Sequence, residues 1–147
     1  METVFTITED KTRFDIDFIH AELAKSYWAK GIPKKIVQRG IENSLCFGIY
    51  SGEQQIGFAR VITDKATFAY LCDVIVTESF RGRGAGKQLM TYIMAHPDLR
   101  GLRRFTLGTQ DAHELYRKYG FTAPQFPDRQ MEINRRGIYE QGPPVNP

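Results

Sequence analysis

The chain has 147 residues, 41% of them hydrophobic, which is enough for one globular domain with a sizeable core. Its formal net charge of +3 is mild and gives no bulk electrostatic case for nucleic acid, and no apolar run is long enough to span a bilayer. Met1-Glu2-Thr3-Val4-Phe5 carries no basic segment leading into an apolar one, so the expectation is a soluble cytoplasmic protein with neither membrane nor nucleic-acid partner.

A short strand is expected near Val4 to Thr8. After the polar stretch ending at Arg13 comes a helix with Ile16, Ile19, Leu23 and Tyr27 at helical spacing. Gly31-Ile32-Pro33 breaks it, and Pro33 suits the first turn of a second helix in which Ile36, Val37 and Ile41 recur. Leu45 to Tyr50 and Gln55 to Ile62, joined at Ser51-Gly52-Glu53, read as a hairpin. A turn at Asp64-Lys65-Ala66 then leads into Thr67 to Val76 and completes an antiparallel meander. Cys46 and Cys72 lie in these apolar runs without metal-type spacing, and His20, His96 and His113 are scattered. Buried reduced thiols and no metal are therefore expected.

The stretch after Val76 is the most informative. Arg81-Gly82-Arg83-Gly84-Ala85-Gly86-Lys87 stands between an apolar strand and the start of an amphipathic helix. Glycines there let backbone approach a ligand. Loop amides and the positive end of the helix dipole favour phosphate, and Arg81, Arg83 and Lys87 add full charges. A Walker A loop would need glycine at position 81 and Ser or Thr at 88, where Arg81 and Gln88 stand. A dinucleotide fingerprint fails in the same way, because Lys87 and Leu89 occupy the positions of its last glycine.

Leu89, Met90, Ile93 and Met94 share one face of the following helix, which His96-Pro97 stops. Arg104 to Gly108 is a short strand, reached through a helix as a parallel partner must be. Asp111-Ala112-His113-Glu114 resembles a capping box opening a helix that ends at Gly120, and a last strand is expected over Gln130 to Asn134. Composition divides the chain into a domain over residues 1–134 and a poorly ordered, linker-like tail over 135–147.

Arg81, Gly84 and Gly86 spell Arg-x-x-Gly-x-Gly directly after a strand, which resembles the pyrophosphate motif of the GNAT acetyltransferase superfamily. Ala112, Tyr116, Gly120 and Phe121 match that family's Ala-x-x-x-Tyr-x-x-x-Gly-Phe helix, and the element order is also the family's. The resemblance covers nearly the whole chain and looks closest to small bacterial members. It implies a GNAT-type α/β sandwich with a mixed, mostly antiparallel sheet and helices on both faces. It also implies acetyl-CoA as co-substrate, held by the loop from Arg81 through Gly82, Arg83, Gly84, Ala85 and Gly86 to Lys87. An amide of Val74, Ile75 or Val76, at a bulge before the loop, would meet the thioester oxygen. Family members often have Asn where this chain has Thr109, whose hydroxyl replaces part of that amide's hydrogen bonding to the coenzyme arm. A homodimer is an expectation from the resemblance alone.

An amine acceptor, with a pKa near about 10.4 if it resembles lysine, must lose a proton before or during attack. Asp73 is the lone carboxylate in its apolar strand, placed by alternation on the face of Leu71 and Ile75, and is the candidate base. The other reading of Asp73 is an acceptor of structural hydrogen bonds, and Glu78 is a lesser base candidate acting through water. Tyr116 is the candidate acid for the leaving thiolate, against a half-buried core tyrosine. Tyr27, Trp28 and Ile32 fall at the helix junction that borders the acceptor in the family, and Arg100, Arg103 and Arg104 read first as a solvated basic face. The function implied is direct N-acetyl transfer to a small-molecule or peptide amine in a ternary complex. A non-catalytic acyl-CoA-binding domain is the alternative.

Overall fold

In the computed structural model, which describes residues 4–140, one five-stranded sheet runs in the order β1-β2-β3-β4-β5. The strands are β1 (Thr6–Thr8), β2 (Leu45–Ser51), β3 (Gln54–Thr63), β4 (Phe68–Val76) and β5 (Arg104–Leu107). Every pairing is antiparallel except β4 with β5, which run parallel and are joined through the helix α3 (Ala85–Met94). The helices α1 (Ile16–Ala24) and α2 (Lys34–Glu42) precede β2, and α4 (His113–Arg117) follows β5.

Strand alternation separates two cores. Phe47, Ala59, Val61 and Leu71 point to one face, where Leu89, Met90 and Ile93 of α3 and Tyr116 of α4 cover them. Cys46 and Phe58 point to the other, against Ile19 and Leu23 of α1 and Val37 and Ile41 of α2. Helices therefore lie on both faces, as expected.

Three sequence expectations are corrected. The first helix stops at Ala24, so Tyr27 lies in the α1–α2 connection rather than on a helix. Asp15, not foreseen as a cap, accepts the Phe18 N–H at 3.0 Å and starts that helix. No strand forms over 130–134, although Met131 and Ile133 alternate; they are 98% and 83% exposed. The segment has the residue pattern of a strand but pairs with no sheet edge among the described residues. Asp111 makes no capping box, since the residue at the N-cap of α4 is Ala112, without a side-chain cap. Residues 135–140, assigned from composition to the tail, approach the α1–α2 connection, where Lys30 meets Glu140 at 3.6 Å. The remainder, 141–147, lies outside the described residues.

Candidate active site

β4 is the hinge of the site. It pairs with β3 as far as Val76, but with β5 only as far as Leu71 opposite Leu107. Beyond that pair the β5-facing edge of β4 has no strand partner. Between Phe58 and Arg60 the register slips, setting three steps of β4 (Cys72 to Ile75) against two of β3. The extra residue is a bulge, and Asp73 takes it up with a left-handed φ of 52°.

This bulge overturns the expected face assignment. Leu71 and Ile75 lie in opposite cores, while Val74 and Val76 pack with the α3 side. One inserted residue reverses the alternation, as period-two geometry requires. Thr77 donates its N–H to Ile56 of β3 at 2.8 Å, so by alternation Ile75 also faces β3, and Val76 faces the open edge. The Val76 carbonyl accepts from Arg81 Nε there at 3.1 Å. Val74 and Val76 are accordingly the backbone groups presented to the open edge, and Ile75 is turned away from it.

The glycine loop follows. Gly82 and Gly84 have φ of 77° and 85°, a region that L side chains adopt only with strain. Gly84 is the N-cap of the ten-residue α3 and carries no capping side chain, so the first-turn amides have no intrahelical or side-chain cap. Ala85 is buried in the core and anchors the helix start, while Lys87 is exposed. Arg83 lies over the Phe80 ring, 4.9 Å from its centroid. The loop thus combines uncapped amides, a helix dipole and three basic side chains, a donor set suited to a pyrophosphate.

Where β4 and β5 part, a cavity of about 920 Å³ opens, lined from β4 by Cys72, Asp73 and Val74, from the α1–α2 connection by Tyr27 and Trp28, and by Tyr116. Residues of the segment 134–140 form its far wall. Thr109 and Tyr116 also line a second cavity of about 580 Å³ between β5 and α4, and so stand where the two meet. Tyr116 is only 8% exposed. Burial, with smaller contributions from Tyr27 and Asp111, raises the pKa of its phenol above the ordinary value, so it stays protonated at neutral pH. Thr109 Oγ1 accepts the Ala112 N–H at 3.0 Å and helps to start α4; its hydroxyl proton can still point elsewhere.

Asp73 does not stand alone on this wall. Its Oδ2 accepts from Arg60 Nε at 2.8 Å and its Oδ1 from Trp28 Nε1 at 2.9 Å. Arg60 Nη1 also donates to Ser44 Oγ at 3.0 Å, and the guanidinium passes beside Gly40, where a Cβ would stand 3.5 Å from Nη1. Burial, the largest single influence, works against the Arg60 charge, but the Asp73 carboxylate together with Cys72 and Cys46 leaves the Arg60 pKa raised. The pair's side chains are 21% and 12% exposed, so losing either partner would strand a charge at roughly 3–5 kcal/mol. Arg60 is the residue that sequence reasoning missed. The signal was present, as Arg60 is a lone charge inside an apolar strand, the same mark that singled out Asp73. Glu78 lies in a turn outside the cavity lining. Cys72 lines the cavity half-buried, and burial pushes its thiol up to about 12, far from a reactive thiolate.

Comparison with known proteins agrees with this geometry. The family described as acetyltransferase (GNAT) domain matches residues 42–123, a span from the end of α2 to just past α4. The chain belongs to the GNAT superfamily, the acetyl-CoA-dependent N-acetyltransferases. It is similar to a crystal structure of a GNAT-family protein from Xanthomonas campestris pv. campestris, with 51% identity and a TM-score of 0.93 over 95% of this chain and 99% of that one. A Gibberella zeae protein, FG08082, whose name places it among the acetyltransferases, is 29% identical over 78% of this chain and 76% of its own length. A GNAT acetyltransferase of Elizabethkingia anophelis, solved with acetyl-CoA bound, shares the fold at a TM-score of 0.64 and 19% identity, over 90% of each chain.

Proposed function

We propose that the chain transfers acetyl from acetyl-CoA to an amine by direct attack in a ternary complex. The observation that carries this reading is the parting of β4 from β5 immediately before an uncapped glycine loop, with buried Tyr116 beside the gap. When bound, acetyl-CoA supplies a thioester whose C–S bond is exchanged for a C–N bond to the amine.

The amides of Gly82 through Lys87 hold the pyrophosphate, and Arg81 and Lys87 balance its charge. The open edge of β4 at Val74 and Val76 offers an N–H to the carbonyl oxygen, where a preorganised donor is worth about 3 kcal/mol in the transition state. Tyr116, kept protonated by burial, gives its proton to the departing sulfur. The Thr109 hydroxyl lines both cavities, where it would contact the coenzyme arm. Asp73, gripped through one oxygen by Arg60 and through the other by Trp28, enters as an ordering residue. The proton released by the amine leaves through cavity water. Acceptors are amines, small or peptide-borne, that reach the cavity past Tyr27 and Trp28.

Isothermal titration with acetyl-CoA and desulfo-CoA tests the reading. Wild type binds both, and Gly84→Glu binds neither, since φ of 85° disfavours the side chain and its charge repels phosphate. Wild type that binds neither would sink the proposal. Binding without thiol release across an amine panel would leave a non-catalytic acyl-CoA-binding domain.

A further inference from the structure

We infer that Arg60 is a positioning residue for acetyl transfer: by gripping Asp73 from the α2 side, it holds the left-handed bulge that turns Val74 and Val76 to the open edge. The same grip fixes Trp28 as the acceptor-side wall. This rests on the acetyl-transfer reading and adds to it a residue remote from the glycine loop.

The bulge needs a device to hold it. Besides the glycines, the only described residues with positive φ are Lys65, in a solvated turn, and Asp73, inside a strand. Aspartate tolerates that conformation better than most residues but does not prefer it, so something must hold it there. Asp73 is held from two sides. Arg60 Nε meets one oxygen at 2.8 Å and the Trp28 indole N–H meets the other at 2.9 Å. Arg60 is itself fixed by Ser44 and by the side-chain-free surface of Gly40. Anchorage therefore runs from α2 and the α2–β2 turn through Arg60 to Asp73, and on to the cavity.

Past Asp73 the linkage continues across the cleft. Trp28 packs edge to face on Tyr27, with centroids 4.9 Å apart, and the Tyr27 hydroxyl accepts the Gln110 N–H at 3.0 Å. The α1–α2 connection is thus tied both to the β4 bulge and to the β5–α4 loop, bridging the two strands where they part. With Asp73 and the Tyr27 oxygen engaged in these bonds, the wall presents mainly aromatic surface to an incoming amine.

Two NMR signals test the assignment without any acceptor. The first is the carbonyl carbon of acetyl-CoA labelled with carbon-13, which moves downfield when a hydrogen bond polarises it. The second is the indole N–H cross-peak of Trp28, unambiguous because the chain has one tryptophan. Wild type should bind labelled acetyl-CoA with the carbonyl shifted downfield. Arg60→Met should lose that shift and move the Trp28 peak, while its acetyl-CoA affinity stays within about threefold of wild type. Asp73→Ala should lose the shift as well. Asp73→Gly should keep it, because glycine adopts the left-handed bulge unaided, even as its Trp28 peak moves. If Arg60→Met does not fold, Arg60→Met combined with Asp73→Gly removes the stranded carboxylate too, and it should retain the shift.

An Arg60→Met protein that keeps the downfield carbonyl, or a double variant that loses it, would overturn the positioning role alone. An unmoved Trp28 peak in Arg60→Met would break the link to the acceptor wall. Failure of wild type to bind acetyl-CoA would instead overturn the transfer reading, and the positioning role with it.

Discussion

At the scale of single residues, the proposed reaction would divide the site between groups that touch the reacting atoms and groups that hold them. Tyr116 is of the first kind. Its buried phenol is a proton donor at neutral pH, and among the described residues no hydrogen bond claims its hydroxyl, so the removal of one oxygen tests it cleanly. Tyr116→Phe should lower kcat about 100-fold or more at saturating donor, with acetyl-CoA affinity unchanged by titration. Equal turnover would return Tyr116 to the core it also packs in. Asp73 and Arg60 are of the second kind. Both were visible as isolated charges in apolar strands, but their pairing was not, because it depends on β3 and β4 standing side by side with one residue of slip.

At the scale of elements, the meander depends on close approach of its central strands. Gly57 of β3 has no room for a side chain: a Cβ would stand 2.7 Å from Ile49 Cγ2 and 2.7 Å from the Ile75 carbonyl oxygen. The second contact is backbone and cannot rotate aside. Gly57→Ala should therefore cost about 2–3 kcal/mol, seen as a lower urea midpoint with unchanged slope. Gly52, in the neighbouring turn, has φ of 60° and open space around it, so Gly52→Ala should cost only the backbone strain of about 1 kcal/mol. A result in which the two variants lost equal stability would mean that β3 and β4 can shift apart to admit the methyl. Helix ends follow the same logic of local satisfaction. Thr109 rather than Asp111 supplies the oxygen that starts α4, since the hydroxyl reaches the Ala112 N–H three residues on.

At the scale of the whole molecule, stability and site share one sheet. Burial pushes Cys46 up to about 11 and Cys72 up to about 12 from an ordinary 9.0. Both thiols are thus neutral in the folded chain where the unfolded chain would ionise them. A folded pKa above the unfolded one gives stability that is full below pH 9.0 and is lost as pH rises through the folded values. Each thiol should contribute about 1.4 kcal/mol of loss per pH unit in that window. Replacing both cysteines with alanine should flatten the fall of Tm between pH 9.0 and about 11 relative to wild type. A slope that does not change would place the thiols in contact with water.

The GNAT fold and the glycine loop were legible because their signals are local. A phosphate loop is a few consecutive residues whose backbone conformations the glycines permit, and a helix motif repeats within two turns, so neighbours along the chain carry the information. The element order through α4 followed from the same short-range periodicities. Pairing could not be read in that way. Met131 and Ile133 alternate like a strand yet remain exposed, since alternation cannot say whether a partner edge exists. The bulge at Asp73 is likewise invisible in β4 alone, because a bulge is a mismatch between two strands rather than a property of one. That single slip sends Leu71 and Ile75 to opposite cores, aims Val76 at the cleft and brings Arg60 to Asp73. Register arises from contacts between residues far apart in sequence, and here it arranges the candidate site.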